Sequence, residues 1–492
     1  FVYLFYNADR RVDKQEDASG NVTLFSYDFP AVGNRVTTVT RLADPAFAAN
    51  DARNEVVEDV HDQRLHLVER RVRIENPNVG DPFIWLAEQL GYDPVTGDLI
   101  SKINRRGFET TYQYQNGNLI QVKTPDLGIT TFEYTDSNHP TLPTLITYPD
   151  ARVKERREYD AAGNLTAATM PYDPAQPTKY RRTTIRDAFG QVTSTLDANG
   201  VTQSFQPDEW GRNTQHIDGD LKTHVSEYDA NGRKTASIDP RSNRVDLVFD
   251  EVGNLIRTSR ADPDDPANPI ITQAAYDITG LPTKSTDPLD HSIYSVRDEQ
   301  GRVVREENHE RHPLIHRFDV FGREVETENA KGGITRRTFN FAGYLMSESS
   351  PAPSTNVITY KRDANGNATE ITDGDGVRTT IEYDSMDRAI VTKRWKTATE
   401  FDETRSSYNL LGQKEWDEDG GDSNGVKRKT YYHYNLAGDH IRTVSKSGTE
   451  FTFDYDDEGH LKSATHMSST GSATRYQEYN GRYQLKKRID EN

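Results

Sequence analysis

A short turn recurs along this chain with the regularity of a lattice, and a lattice of turns leaves few folds open. The motif reads aromatic or Arg, then Asp or Asn, two variable residues, and Gly. Arg or Asn often follows. The copies closest to this rule are Tyr159, Asp160 and Gly163; Tyr228, Asp229 and Gly232; Phe249, Asp250 and Gly253; and Phe318, Asp319 and Gly322. Tyr276, Asp277 and Gly280, and Tyr455, Asp456 and Gly459, obey the same rule. Asn replaces Asp at Asn340, Asn409 and Asn435, Arg replaces the aromatic at Arg186, Arg297 and Arg362, and Asp387 replaces a glycine. The turn glycines, or their substitute, fall at 163, 190, 211, 232, 253, 280, 301, 322, 343, 366, 387, 412, 438, 459 and 481. Eight of the gaps are 21 residues and the rest run from 22 to 27. The longer gaps hold insertions, such as Ala261–Pro266 and Ser350–Pro353.

The motif carries turn chemistry. An Asp or Asn side chain accepts a hydrogen bond from the backbone two residues on. The glycine takes a positive φ that other residues resist. Together they predict a type I turn closed by a glycine bulge, a common hairpin connection. The aromatic sits at the strand end, where it packs on a cross-strand neighbour. Half-way between these turns lies a second, looser one, as at Asp197–Gly200, Asp239–Ser242, Asp373–Gly376 and Ser445–Gly448. Each period thus holds two turns and two strands of about six residues. Intervening segments such as Val192–Leu196 and Leu255–Thr258 alternate as strands do. The expected fold is all-β, a ribbon of consecutive hairpins.

Composition narrows the class further. Only 33% of the 492 residues are hydrophobic and the net charge is −18, values that lean toward disorder, but 25 Tyr, 18 Phe and 4 Trp are too many for a solvated tail. The absence of Cys excludes disulfide scaffolds, thiolate metal sites and cysteine nucleophiles. The longest apolar runs, such as Phe1–Tyr6 and Phe83–Ala87, are far shorter than the roughly 20 residues of a spanning helix, so no membrane span is expected. The acidic balance disfavours nucleic acid as a partner. The chain begins at Phe1, and it reads as a piece of a longer protein.

The Tyr-Asp-x-x-Gly-Arg/Asn copies and their near-21 spacing resemble the YD-repeat, or RHS-repeat, family. Tyr92–Leu99 is a variant common in that family, and Tyr134–Tyr148, with His139-Pro140 and Leu142–Thr144, is similar to another. The likeness covers residues 92–492 well. Residues 1–91 match more weakly, through Tyr27, Asp28 and Gly33 and the Gly20-Asn21 turn, and the register is lost between Arg41 and Gly91. The expected division is therefore 1–91, degenerate repeats with an insertion that still belong to the shell, and 92–492, the repeat array.

The resemblance implies an architecture, a β-ribbon wound into a large hollow shell or cocoon, and a role. In bacterial Rhs proteins and Tc toxin C subunits such a shell encloses a C-terminal toxin domain until delivery; in teneurins it serves adhesion. The leading expectation is a non-enzymatic shell fragment of an Rhs-type polymorphic toxin. It is expected to be cytoplasmic before export, then secreted or delivered by a type VI or related machine or a Tc-type complex. The implied partners are the enclosed toxin domain and a secretion spike or Tc-type B component. The alternative is a cell-surface adhesion or glycan-binding scaffold. The Asp-Pro-x-Gly-Leu self-cleavage segment of Rhs shells does not occur; Asp93-Pro94 and Asp287-Pro288 have other followers, so self-cleavage is not assigned here.

Other clusters read as ordinary surface. His309, His312 and His316 lack the spacing of a zinc site and read as a solvated hairpin. Asp417, Asp419 and Asp422 sit in a glycine-rich loop without the closing Glu of a calcium loop, and Asp373 and Asp375 read as turn residues. Asn21, Asn164 and Asn367 are sequons that matter only in a eukaryotic secretory setting. No nucleophile elbow, phosphate loop or dinucleotide fingerprint occurs, so no catalytic residue, cofactor or metal is expected.

Overall fold

The computed structural model describes residues 2–17, 20–30, 33–43, 54–75, 83–265, 267–351, 356–420, 427–468 and 471–491. Its regular structure is all β, in 42 strands from β1 (Val2–Tyr6) to β42 (Leu485–Glu491). Each strand pairs antiparallel with the next in sequence, and among the described residues strand contacts join sequence neighbours alone. The ribbon of consecutive hairpins expected from the turn lattice is the fold.

Both kinds of turn close in the same way. In the motif turn 160–163 the Gly163 amide donates to the Asp160 carbonyl at 2.9 Å, and the Asp160 amide to the Asn164 carbonyl at 3.0 Å. In the second turn 197–200 the Gly200 amide donates to Asp197 and the Asp197 amide to Val201, both at 3.1 Å. The second turn is therefore looser in sequence but not in geometry. Leu127, Leu221, Ser242, Asp290 and Arg311 hold its left-handed position with φ between 60° and 68°, where glycine is the usual occupant. The motif lattice also slips once. In the turn 480–483 the left-handed residue is Tyr483, at φ 60°, and not Gly481.

The two hairpins of a period differ one residue beyond the turn. Motif hairpins carry a register shift: Tyr159 pairs with Leu165, but Glu158 pairs with Ala167. The same shift marks nearly every motif-side pair. The exceptions are β3 (Val22–Asp28) with β4 (Arg35–Arg41), and β11 (Ile129–Glu133) with β12 (Leu145–Thr147). Second-side pairs keep a plain register. A bulge bends its strand and raises local twist. Bulges confined to one edge curl the ribbon in one direction.

The wall is one sheet thick. The accessible surface is 29401 Å², whereas a compact globule of this mass exposes about 18,000 Å². Among the described residues, buried apolar side chains are few. Val22, Val56, Val60, Val72 and Leu86 lie in the first strands, Leu42 just beyond β4, and Ile146, Val153, Ala167 and Ala236 further on. Strand β7 (Phe83–Tyr92), across which the boundary at residue 91 falls, belongs to the same ladder as its neighbours.

Candidate functional site: the repeat ladder and the seam between coils

Each motif residue has a partner in its own turn or the adjoining repeat. The Asp side chain accepts two backbone amides, as Asp229 does from Asn231 and Arg233, each at 2.9 Å. Asp160, Asp250, Asp277, Asp319 and Asp456 do the same. The Arg233 amide, with other donors behind it, holds the Asp229 carboxyl below the usual carboxylate range. Gly163, Gly232, Gly253, Gly280, Gly322 and Gly459 all take φ between 81° and 101°.

The aromatic ties one repeat to the repeat before it. The hydroxyls of Tyr159, Tyr228, Tyr276 and Tyr455 donate to the carbonyls of Pro143, Asn213, Leu255 and His440, at 2.9–3.0 Å. Phe lacks that hydroxyl and is held from above: Arg233 lies 5.2 Å from the ring centre of Phe249, and Arg302 4.6 Å from that of Phe318. The same arginines complete the turn. Arg233 donates Nε to Asp229 at 2.7 Å and Nη1 to the Asp250 carbonyl of the next motif turn at 3.1 Å. Arg212, Arg323 and Arg388 repeat that reach. The geometry also explains why Arg can stand in for the aromatic. Arg362 donates Nε to the Leu345 carbonyl at 2.7 Å, doing the work of the Tyr hydroxyl, and Nη1 to its own turn glycine carbonyl at 2.8 Å.

A second set of contacts joins residues 239 to 286 positions apart. The second turns of an early stretch lie against the motif turns of a late stretch, so the ribbon winds over itself. Arg106, in the turn 104–107, donates to Asp387 at 2.6 Å and to the Asp384 and Tyr383 carbonyls at 2.7 and 3.1 Å, and pairs with Asp363 at 3.2 Å. Asp126 accepts from Arg388 at 3.2 Å. Glu458 takes the Ala198 amide at 2.6 Å and Arg182 at 2.8 Å. Tyr483 donates to Asp197 and stacks on His460 with ring centres 3.9 Å apart. Burial, then Asp197, push the Tyr483 hydroxyl pKa up. Asp220 accepts from the Gly481 amide at 2.6 Å and from Arg482 at 3.0 Å.

The offset centres on 23 strands and runs from 21 to 25, so that a turn can touch two neighbours on the other coil. The turn after β10 (Asn118–Lys123) meets the turn after β33 (Arg378–Tyr383), and the turn after β18 (Asn213–Ile217) meets the turn after β41 (Gly471–Tyr479). At that last point backbone meets backbone, and a Cβ on Gly219 or Gly481 overlaps the other residue's carbonyl. Crevices of about 410 and 570 Å³ lie along the seam, where Leu410 and Leu411 face Pro149 and Asp150, and Leu436 faces Pro171 and Tyr172.

Sequence reasoning did not find the seam, although two signals point at it. Asp387 is the one acid standing for glycine in the lattice, and it takes Arg106, Asn365 and Asn367. Burial pushes its pKa up, but those three donors hold it below the carboxylate range. Gly481 occupies a turn position that needs no positive φ, and the close approach of Gly219 accounts for it. The remaining clusters are dispersed. His312 pairs with Glu310 at 3.1 Å on an exposed turn, His309 packs at a tilt against His291 with ring centres 4.3 Å apart, and His316 contacts Glu324 at 2.9 Å on the wall. Asp373 accepts the amides of Asp375 and Val377. Asp419 pairs with Lys446, Asp417 raises the Tyr432 hydroxyl, already pushed up by burial, to about 12, and Asp422 lies outside the described residues.

A thin antiparallel ribbon, bulged along one edge and wound so that opposite edges meet, is the architecture of a β-shell. Residues 362–395 match the family model described as RHS Repeat. The chain carries the RHS repeat and has the fold of RHS-repeat shells. It is similar to a chain in the Photorhabdus luminescens Tc holotoxin pore, with 14% identity and a TM-score of 0.63, over 99% of this chain and 29% of that one. A TcdB2–TccC3 crystal structure also matches, with 13% identity and a TM-score of 0.47, over 100% of this chain and 38% of that one. The chain thus spans about a third of the length of these relatives. No curated protein sequence matches it.

Proposed function

We propose that this chain is part of the wall of a capsule that sequesters a C-terminal toxin domain until delivery. The observation that carries this reading is the seam. Backbone pairing closes the wall along the ribbon, and side chains and the Gly219–Gly481 contact close it between coils. A wall with both joints made is a barrier to protein, which a scaffold displaying an outer ligand site does not need. The likeness to a Tc holotoxin chain supports the same reading. In this role the wall is structural, catalysis belongs to the cargo, and a Tc-type B component or a secretion spike serves as exit. The motif turns, from Tyr159, Asp160 and Gly163 to Tyr455, Asp456 and Gly459, are its structural elements.

The test is a density map of the particle as its producing cell makes it, with protease challenge alongside. Encapsulation predicts density inside the wall and a cargo resistant to protease until the particle is opened. An empty lumen with a ligand on the outer wall replaces this reading with an adhesion scaffold.

A further inference from the structure

The gap between the turn glycines Gly163 and Gly190 is 27 residues, and its insertion does more than lengthen a loop. Residues 170–180 fold back on the wall. The Tyr172 amide donates to the Lys154 carbonyl at 2.7 Å, and the Lys179 amide to the Gln176 carbonyl at 3.1 Å. Between this segment and the turn 435–438 lies the crevice of about 570 Å³. Volumes of roughly 300–1,000 Å³ suit small molecules, whose sites combine an apolar lining with a few convergent polar groups. Here Pro171, Tyr172, Tyr180 and Leu436 supply the lining, and Lys154 and Lys179 the charge. Tyr172 is held in place by Arg156, which donates to its hydroxyl at 3.0 Å and lies 5.4 Å from its ring centre.

That charge runs against the rest of the chain. The net charge is −18, yet residues 151–186 hold eight Lys and Arg against four Asp and Glu. The acids are engaged elsewhere. Glu155 holds Arg157 at 2.6 Å, Glu158 takes Arg156 and Arg181, and Asp160 accepts the amides of its own turn. Asp173, the only carboxylate among the described residues that line the crevice, accepts the Ala175 amide at 2.9 Å. Arg152, which also lines it, pairs with Asp150 at 2.7 Å. Among the described residues neither Lys154 nor Lys179 pairs with a carboxylate, and the Lys179 ammonium lies 4.8 Å from the ring centre of Tyr180. Two ammonium groups without a counterion thus share one crevice with two tyrosine rings.

We propose that this crevice is a binding site for a small organic anion with a flat, apolar ring, either an aromatic carboxylate or an aromatic phosphate ester. The ring lies against Tyr172 and Tyr180, and the anionic group meets Lys154 and Lys179. The aromatic walls favour a flat body, because ring-to-ring contact adds to the area buried. The ammonium groups call for a negative one, since charge-assisted hydrogen bonds are the strong ones. A neutral sugar leaves both lysines without a counterion. The crevice is bounded by residues 151–180 and by Asn435 and Leu436, so a bound ligand touches both stretches and stabilises their contact by mass action. The inference does not rest on the cargo, and a particle with an empty lumen satisfies it equally.

The probes are naphthoate, naphthyl phosphate and the uncharged naphthamide, titrated into the full 492-residue chain by calorimetry. At least one anion is expected to bind with a dissociation constant at or below about 1 mM, a modest demand for a ligand of this size. Naphthamide is expected to bind about ten-fold more weakly, or not at all. The tighter anion tells carboxylate from phosphate ester. Lys154→Gln and Lys179→Gln are each expected to weaken it about five-fold. Lys331→Gln, on the exposed turn 329–332, is expected to leave it unchanged. Lys179 stands on the insertion and outside the strand ladder, so Lys179→Gln keeps the test decisive should Lys154→Gln fold poorly. Naphthamide binding as tight as either anion overturns the proposal. So does anion binding that Lys179→Gln leaves unchanged, or no binding of either anion up to about 10 mM.

Discussion

The ribbon has two edges that close their turns with the same backbone and solve different problems. The motif edge binds each repeat to the next, through the Tyr hydroxyl, the Arg that reaches the following turn, and the bulge that curls the sheet. These contacts recur every period, so the sequence that makes them recurs too. The second edge makes no comparable ladder. Over the early strands its side chains are chosen by the coil they meet, and each position meets something different: Asp363 and Asp387 for Arg106, Arg388 for Asp126, the Gly481 backbone for Gly219. Periodicity in this protein reports repeat-to-repeat contact. Irregularity reports contact between coils.

The largest test of that contrast is Gly481→Val. A branched side chain cannot fit against Gly219, and forcing it in costs about 3 kcal/mol of overpacking. The expected outcome is faster hydrogen exchange in the turns 218–221 and 480–483 with the motif ladder elsewhere intact. Loss of exchange protection along the whole ribbon breaks the separation between ladder and seam.

Next in size, Arg106→Ala removes the cation that Asp363 and Asp387 share and is expected to weaken the seam by about 2 kcal/mol, read by urea unfolding. Asp387→Gly isolates the same contact from the opposite side. It gives the turn its expected glycine, relieving a residue at φ 61°, yet removes the anchor for Arg106. Net destabilisation of about 1 kcal/mol is expected; a gain in stability means the lattice position outweighs the seam.

Acid probes the second edge on a late strand, β35 (Phe401–Tyr408). Arg405 and Lys427 hold Glu403 at a pKa of about 2, well under its ordinary value of 4.5, although the side chain is buried. A depressed carboxylate stabilises the fold above the unfolded-state pKa and loses that contribution as pH falls through the folded value. Unfolding midpoints are therefore expected to drop between about pH 4.5 and 2, and Glu403→Gln is expected to flatten that slope. The smallest effect is Leu221→Gly. Leu221 sits at φ 60° and is 80% exposed, so glycine is expected to raise stability by about 1 kcal/mol, measured by thermal unfolding.

The ladder was legible because its chemistry is local. Asp, Gly and the flanking aromatic act within a few residues, and their spacing fixed strand length, turn type and the hairpin order. The glycine that closes the turn was legible, but the register shift one residue beyond it was not, because Thr166 falls out of register through pairing and not through any unusual residue type. Nor was the likeness of the two turns, since Leu127, Leu221 and Arg311 hide a left-handed corner behind side chains that seldom adopt it. The seam lay beyond reach for a simpler reason. Its partners stand some 260 residues apart, and only the winding brings Asp220 to Arg482 or Arg182 to Glu458. Asp387 was visible as an exception to the motif, but its meaning needed the other coil.

The strictly sequential pairing of strands also bears on how such a wall is built. A ribbon in which every strand bonds only to its predecessor and successor asks for no long loop to be closed before contacts form. Each hairpin can settle as it leaves the ribosome and serve as the template for the next. The first coil stands before its partner exists. Residues such as Glu458 and Gly481 arrive after the coil they meet and lock onto a wall already in place, so assembly has a direction written into it from earlier strands to later ones.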